Sequence, residues 1–214
     1  MRARLAEYTR PVTTPALDAF IRDEAWGVVM LDGPDGTPLN AQKWIAQFQE
    51  KVAVRDFSSF LWMCHRGSRW KALRALAPIL RDAEYWQLLR DVYQDAESLW
   101  KQPGIRRLLH ARRGERGAFM RDGERAALAA MPERLTIYRG AQLRNASGWS
   151  WSLDVERARW FAVRWHRGEG IVIHATVARS DVIGYLDGRE EAEIVCDPDL
   201  VAVESVEVVR RPQP

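Results

Sequence analysis

Two glutamates separated by one residue, Glu191 and Glu193, precede a short run of β-branched residues. Alternate residues of a β-strand share a face, so we predict a strand over residues 191–196 with both carboxylates on one side. A register shift of one residue would place Glu190 on that side instead. Two fixed carboxylates can stabilise positive charge that develops on a sugar and can accept a proton from an attacking nucleophile.

Residues earlier in the chain have the chemistry to hold a nucleotide. Arg139 ends a predicted strand and is followed by Gly140. A guanidinium binds phosphate oxygens at two points, and glycine lets a ligand approach the backbone closely. Ser150 and Ser152 alternate with a tryptophan in a second predicted strand, which places both hydroxyls on one face. Arginine for phosphate, hydroxyl for positioning and carboxylate for positive charge are the groups that cleavage of a nucleotide's glycosidic bond requires.

Three segments in this order resemble the Arg/Ser-x-Ser/Glu-x-Glu signature of the mono-ADP-ribosyltransferases. They are Tyr138-Arg139-Gly140, then Gly148-Trp149-Ser150-Trp151-Ser152-Leu153-Asp154 with Ala158-Arg159-Trp160-Phe161-Ala162 after it, and Glu191-Ala192-Glu193-Ile194-Val195 followed by Pro198. The resemblance covers residues 135–209, about the last third of the chain. It implies NAD as a substrate, no metal, and a fold in which two small sheets pack around the dinucleotide cleft.

The resemblance implies catalytic roles for four residues. Glu193 would stabilise the positively charged ribose and hydrogen-bond a ribose hydroxyl, and Glu191 would activate the acceptor. A glutamate at position 191 implies an arginine side chain of a protein as the acceptor of ADP-ribose. Arg139 and Ser150 would hold the dinucleotide.

The resemblance also implies which residues contact NAD. They are Arg139, Gly140, Ser150, Ser152, Phe161 and Glu193. Phe161 would stack on nicotinamide, as a phenylalanine does in related toxins. Trp160 and Phe161 can equally form the buried face of a helix, and the sequence leaves both interpretations open.

The turn ahead of the glutamates recognises the acceptor in this family. The corresponding residues here are Tyr185, Arg189 and Glu191, with the pair Asp187-Gly188 between the first two. An Asp-Gly pair also forms a turn without any function.

The charge of the chain, net +3, is unevenly distributed. Residues 1–134 contain 22 basic and 17 acidic side chains, whereas residues 135–214 contain 10 and 12. Within Lys101–Arg125, eight basic residues accompany three acidic ones. This segment is either the solvated face of two helices or a docking surface for RNA, DNA or an acidic protein.

The two cysteines, Cys64 and Cys196, are far apart and show no metal-ligand spacing, so we expect neither a disulfide framework nor a zinc site. The N-terminal residues lack the apolar core of a signal peptide, and no run approaches the ~20 apolar residues of a membrane span. We therefore expect a cytoplasmic protein with no membrane partner.

The helices and strands that position these residues can be predicted from the spacing of hydrophobic residues along the chain. The 214 residues, 47% of them hydrophobic, suffice for a sizeable core. Residues 1–132 are predicted to be mainly α-helical, apart from a short strand at Val28–Leu31 and a break at Pro78. Residues 133–214 are predicted to contain short strands around one helix, 154–167, capped by Asp154. The expected fold is α+β, with 1–132 an accessory or target-docking region and 133–214 the ADP-ribosyltransferase catalytic core.

Three functional hypotheses follow. The first is ADP-ribosylation of a protein arginine by a bacterial or phage effector. The second is ADP-ribosylation of an RNA or DNA base by an intracellular toxin or defence enzyme, with Lys101–Arg125 as its docking surface. The third is a helical interaction module with an inactive transferase fold. In each case the helical region could also bind an inhibitor or antitoxin protein.

Overall fold

The computed structural model describes residues 13–31, 38–96, 104–164, 169–188 and 191–210. The chain forms two compact units. The helical unit comprises Met1–Glu97 and Arg113–Arg116, and the sheet unit comprises Ser98–Arg112 and Gly117–Pro214. The described residues contain eight α-helices and six strands, so the fold is mixed α+β. The units do not divide at 132/133, because the two helices that precede the first strand belong with the sheet.

Five α-helices lie in the helical unit. They are α1 Pro15–Leu31, α2 Pro38–Ala53, α3 Phe57–Met63, α4 Arg69–Leu76 and α5 Asp82–Asp95. The break predicted at Pro78 is present, since a 3₁₀ turn at Ala77–Ile79 separates α4 from α5. The last of these helices buries its aromatic face, which includes Tyr85, Trp86 and Tyr93.

The strand predicted at Val28–Leu31 is wrong, because α1 continues through Leu31. The helix begins where the Thr14 hydroxyl accepts a hydrogen bond from the Leu17 amide at 3.2 Å. Its buried hydrophobic residues recur every four positions, at Leu17, Ile21, Ala25 and Val29. That stripe extends the apolar face of one helix into the β-branched run, so packing overrides the local preference for a strand.

The sheet unit contains three α-helices and the six strands. They are α6 Ile105–Leu109, α7 Asp122–Ala130, β1 Arg134–Ala141, β2 Ser150–Ser152, α8 Val155–Val163, β3 Glu169–Ala178, β4 Val182–Leu186, β5 Glu193–Cys196 and β6 Ala202–Arg210. The predicted cap of α8 is confirmed, since Asp154 Oδ1 accepts a hydrogen bond from the Glu156 amide at 2.8 Å. Part of the helix predicted over 154–167 lies outside the described residues.

The six strands form one antiparallel sheet in the order β4-β5-β2-β1-β3-β6. The expected pair of separate sheets is therefore not what the hydrogen bonding shows. The junction between β2 and β1 is nevertheless narrow, because it has a single register pair, Tyr138 with Ser152. By contrast, β1 and β3 pair from Arg134/Ala178 to Ala141/Ile171. The sheet thus consists of two three-stranded halves that meet where β2 is only three residues long.

The two faces of the sheet pack differently. One face carries the main apolar core, with Leu135, Ile137, Trp151, Ile173, Val177 and Ile194 among its buried residues. On the other face, Ala158 and Ala162 of α8 pack on Val172. A Cβ at Gly140 would lie 1.8 Å from the Ala158 carbonyl oxygen, so only glycine lets the helix lie this close to β1.

Among the described residues, none of the helices combines the length and the apolar character required to cross a membrane. Cys64 and Cys196 are both free and buried. Burial raises the pKa of the Cys196 thiol to about 12, so it is protonated at neutral pH and is a poor nucleophile.

Candidate active site

A cleft opens at the narrow junction of the sheet. Its wall is formed by β1, β2, β5 and α8, together with Glu191, which precedes β5. The lining residues are Tyr138, Arg139, Gly140, Ser150, Trp151, Ser152, Ala158, Phe161, Glu191 and Glu193. Every residue that the sequence predicts to contact NAD or to take part in catalysis lines this cleft. The tertiary structure thus brings together residues that lie up to 55 positions apart in sequence, from Tyr138 to Glu193.

Glu193 is the first residue of β5, and Ser150 is the first residue of β2. The register places Ser152, not Ser150, directly across from Glu193. The Ser150 hydroxyl reaches the carboxylate diagonally and donates a hydrogen bond to Glu193 Oε1. Both residues are half-buried, so the hydroxyl orients the carboxylate at the wall of the cleft.

Glu191 reaches the same cleft by another route. The prediction of a strand over 191–196 with both glutamates on one face is wrong, because β5 begins at Glu193. Ala192, between the two glutamates, has φ 43°, a left-handed conformation that interrupts the alternation of an extended strand. The relative position of the two carboxylates therefore does not follow from the two-residue repeat of a β-strand.

Backbone hydrogen bonds fix the segment that carries Glu191. The Ser152 hydroxyl donates to the Glu191 carbonyl oxygen at 3.0 Å and accepts from the Asp154 amide at 3.0 Å. The Leu153 amide donates to the Ala192 carbonyl oxygen at 3.1 Å. Ser152 is itself buried, and it connects the approach to β5 with the start of α8. Ser152 therefore holds neighbouring backbone segments of the cleft in place.

The Arg139 side chain hydrogen-bonds to the backbone at the start of β2 and in the segment before it. Its guanidinium donates to the carbonyl oxygens of Ala146 at 3.0 Å, Asn145 at 2.9 Å and Ser150 at 2.6 Å. A Cβ at Gly148 would lie 2.3 Å from Nη2, so glycine leaves the room that the guanidinium occupies. The side chain holds Ser150 through its backbone, a relation that sequence spacing does not reveal. Binding of phosphate by Arg139 stays a prediction.

Phe161 and Trp160 do not form the buried face of α8, which consists of Ala158 and Ala162. Phe161 lines the cleft, whereas Trp160 is 49% exposed. The two ring centroids lie 5.0 Å apart in an edge arrangement. The Arg164 guanidinium lies 4.6 Å from the centroid of Phe161. An aromatic ring with an exposed aromatic neighbour therefore lines the same cleft as Glu191 and Glu193.

The residues predicted to recognise the acceptor do not lie together in a turn. Tyr185 belongs to β4, is 8% exposed and packs in the main core. Burial raises the pKa of its hydroxyl. A tyrosine ring in a short strand whose residues are all buried packs in the core, so the prediction that Tyr185 belongs to the turn ahead of the glutamates is wrong. Arg189 lies outside the described residues, and Asp187 and Gly188 are exposed.

A polar network that sequence reasoning missed supports the far end of β5. Asp197 is 3% exposed and accepts a hydrogen bond from Arg106 Nη1 at 2.7 Å. Its Oδ2 also lies 2.8 Å from His110 Nε2. The Arg106 guanidinium lies 5.4 Å from the ring centroid of Trp149, the residue before β2. The sequence signal, an Asp-Pro-Asp turn, does not identify a partner about 90 residues away.

The basic segment Lys101–Arg125 is divided between the two units. Arg106 pairs with Asp197 and Asp199 within the sheet unit. Arg113 pairs with Asp82 at 3.2 Å within the helical unit and also donates to the Leu80 carbonyl oxygen. These two arginines serve intramolecular contacts, so the formal charge of the segment overstates the charge that it offers to a ligand.

The part of the chain that the structure describes contains no group of three or more His, Cys, Asp and Glu side chains suited to a metal ion. Comparison with protein-family models, with curated proteins and with solved structures gives no match. The geometry of the cleft and the resemblance of its segments are therefore the basis for a functional proposal.

Proposed function

We propose that the chain is an NAD-dependent mono-ADP-ribosyltransferase. The observation that carries the proposal is the hydrogen bond from Ser150 to Glu193 in a cleft that Arg139 and Phe161 also line. A carboxylate, a hydroxyl, a guanidinium and an aromatic ring are the groups needed to cleave the bond between nicotinamide and ribose. The narrow junction between the two halves of the sheet supports a two-sheet, NAD-binding unit of the transferase type.

Glu193 would act on the ribose. When the bond from C1′ of the ribose to nicotinamide breaks, its electron pair leaves with nicotinamide and positive charge develops on the sugar. A carboxylate already held in place lowers this barrier because no reorganisation is needed during the reaction. The hydrogen bond from Ser150 keeps the carboxylate in one orientation. Phe161, at the wall of the cleft, would stack on the nicotinamide ring.

Glu191 would act on the acceptor. The acceptor's nucleophilic atom forms the new bond to C1′, and its proton passes to the Glu191 carboxylate. Both glutamates line the same cleft, which supports this division of roles. An anionic carboxylate attracts a guanidinium and can accept its proton as the nitrogen attacks C1′, so an arginine side chain of a protein is the proposed acceptor.

The exposed ring of Trp160 favours a nucleic-acid base as a second candidate acceptor. Guanidinium groups of Arg157 and Arg164 lie 5.6 Å and 4.9 Å from its centroid. Exposed aromatic rings beside arginines stack on bases and contact phosphates in proteins that bind single strands. Transfer to RNA or DNA that falls in a Trp160→Ala variant, while NAD cleavage is retained, would favour this acceptor.

The direct test is release of nicotinamide from NAD. Glu193→Gln keeps the shape of the side chain and removes its charge, so we expect release to fall about 100-fold or more. Glu133→Gln, at an exposed position outside the cleft, is the matched control and should release nicotinamide as the parent does. Calorimetry should show that Glu193→Gln still binds NAD. Equal release by Glu193→Gln and the parent would overturn the proposal.

A further inference from the structure

Strand β6 is an unpaired edge of the sheet with an apolar surface. It stands at the end of the strand order and has β3 as its one neighbour strand in the described part of the chain. Three of its valines are exposed, Val203 at 59%, Val206 at 54% and Val208 at 61%. An open edge with exposed β-branched side chains is a template for pairing with another strand.

The exposed valines continue the apolar layer of the core. Val206 lies across from Ile173, and Val208 lies across from Ile171. Both isoleucines belong to the main core cluster and are nearly buried, at 6% and 9%. A strand added beside β6 would therefore extend a layer that now ends in solvent.

The sequence of β6 is symmetric in its chemistry about Glu207, if the extra residue Glu204 beside the regular part is included. A register shift between His174 and Ala175 leaves Glu204 as an extra residue, so regular pairing with β3 runs from Ser205 to Arg210. Around Glu207 the valines 206 and 208 are symmetric, and the acidic Glu204 mirrors the basic Arg210. Antiparallel pairing of two such strands about Glu207 places valine opposite valine and Glu204 opposite Arg210.

We propose that β6 pairs antiparallel with β6 of a second copy of the chain, about a two-fold axis at Glu207. Two copies then share one continuous sheet, with two ion pairs between Glu204 and Arg210 at its ends. Such an interface is isologous and removes both open edges at once. A pair of short strands buries less surface than a standard interface, so the dimer dissociates on dilution.

The two Glu207 carboxylates meet at the axis, and each has its own counter-charge. Arg159 donates to Glu207 at 3.1 Å and 3.3 Å, and His174 Nε2 lies 3.4 Å from the same carboxylate. The hydrogen bond from Arg159 is the main cause that lowers the pKa of Glu207. Arg159 also pairs with Glu156. Each Glu207 carboxylate therefore keeps a guanidinium partner of its own at the axis.

The first test is sedimentation of the full chain over a dilution series. The parent should show a reversible equilibrium between monomer and dimer. Val206→Lys, which adds a charge to the open edge, should weaken self-association about tenfold or more. Val54→Lys is the matched control, since Val54 is 65% exposed and belongs to the helical unit. A parent that stays monomeric at every concentration overturns the proposal.

The second test separates this register from any other mode of association. Glu204→Arg and Arg210→Glu should each weaken self-association, because like charges then face one another in the homodimer. An equimolar mixture of the two variants should restore it, since both ion pairs re-form in the mixed dimer. A change within one chain cannot be rescued by mixing. Dimers that are insensitive to both substitutions, or variants that mixing does not rescue, contradict the pairing about Glu207.

Thermal unfolding of each variant provides the control for folding. All four substituted side chains are on the surface, and the ion pair of Arg210 with Glu169 that one substitution removes is itself exposed. The unfolding midpoints should therefore stay near that of the parent. Binding to β6 by a strand of another protein would compete with the dimer. Monomers in the parent combined with strand addition by such a protein would assign the edge to that partner and overturn the dimer.

Discussion

The Ser150 hydroxyl donates a hydrogen bond to Glu193 although Ser152 is the residue directly across the sheet from it. The two serines, which alternate on one strand, therefore have different partners. Ser150 orients a carboxylate side chain, and Ser152 holds backbone groups of Glu191 and Asp154. The proposed catalytic contribution of the first can accordingly be separated from the structural contribution of the second.

We expect Ser150→Ala to slow nicotinamide release about 10- to 100-fold, because a hydrogen bond to a charged group contributes about 1.5 to 3 kcal/mol. NAD affinity should change little. Ser152→Ala should instead lower the free energy of unfolding by about 1 to 2 kcal/mol, since two partly buried hydrogen bonds to the backbone are lost. Steady-state kinetics and urea unfolding measure the two effects, with exposed Ser147→Ala as the control. Identical profiles for the two cleft variants would contradict the division of roles.

Arg139→Lys tests whether the guanidinium acts through the backbone that it holds. A lysine cannot reach three carbonyl oxygens in a fixed fork, so the free energy of unfolding should fall by about 2 kcal/mol. Nicotinamide release should fall at the same time, because Ser150 is held through its carbonyl group. Exposed Arg134→Lys should change stability by less than about 0.5 kcal/mol. Unchanged stability with a raised KM for NAD would instead assign Arg139 to the phosphates alone.

Gly140→Ala should destabilise the sheet unit, because the added methyl group would lie 1.8 Å from the Ala158 carbonyl oxygen. Separation of α8 from β1 should cost about 2 to 3 kcal/mol. Gly123→Ala in α7 is the matched control, since its methyl group would meet no atom within 4 Å. Alanine also favours the helix there and should stabilise the protein by up to about 1 kcal/mol. Thermal and urea unfolding would measure both, and equal stability of the two variants would contradict close packing of α8.

Ala192 should tolerate glycine and reject a β-branched residue. Its φ of 43° lies in the left-handed region, which costs about 1 to 2 kcal/mol for residues with a side chain. Ala192→Gly should therefore retain stability, whereas Ala192→Val should lose stability and reduce transfer to the acceptor, because Glu191 moves. Transfer of labelled ADP-ribose and nicotinamide release, measured in parallel, would show this. Full transfer by Ala192→Val would disprove that this conformation positions Glu191.

Asp197→Asn should lower the free energy of unfolding by about 2 kcal/mol, because the substitution removes a nearly buried carboxylate that forms an ion pair with Arg106. Asp199→Asn is the matched control: Asp199 binds the same arginine but is 70% exposed, so its loss should cost less than about 0.5 kcal/mol. Urea unfolding measures the difference. Equal losses of unfolding free energy in the two variants would show that the burial of Asp197 does not strengthen its ion pair with Arg106.

The strands of the sheet unit could be located from the sequence because each is a short run with turn residues on both sides. The cap of α8 could be predicted because Asp154 acts on a backbone group two residues away. Local signals of this kind depend on neighbouring residues alone. The strand predicted at Val28–Leu31 failed because a β-branched run fits a helix as soon as its apolar stripe has a partner to pack against.

The relation between Glu191 and Glu193 could not be derived from a period of two. The left-handed residue between them depends on hydrogen bonds from β2 and from the residue that follows it, about 40 residues earlier in the chain. The family resemblance assigns Tyr185 to the turn ahead of the glutamates, yet β4 extends through Leu186 and all of its residues are buried. Spacing along a chain gives the direction of a side chain only while the element remains regular.

The sequence by itself determined the α+β class, the order of the strands in the sheet unit and the set of residues that line the cleft, because residue chemistry and hydrophobic period are properties of short segments. Only the tertiary structure decided that β2 meets β1 through a single pair, that Arg139 holds backbone carbonyl groups and that Ser150 rather than Ser152 reaches Glu193. These relations join segments far apart in the chain, and packing of the whole unit sets their distances.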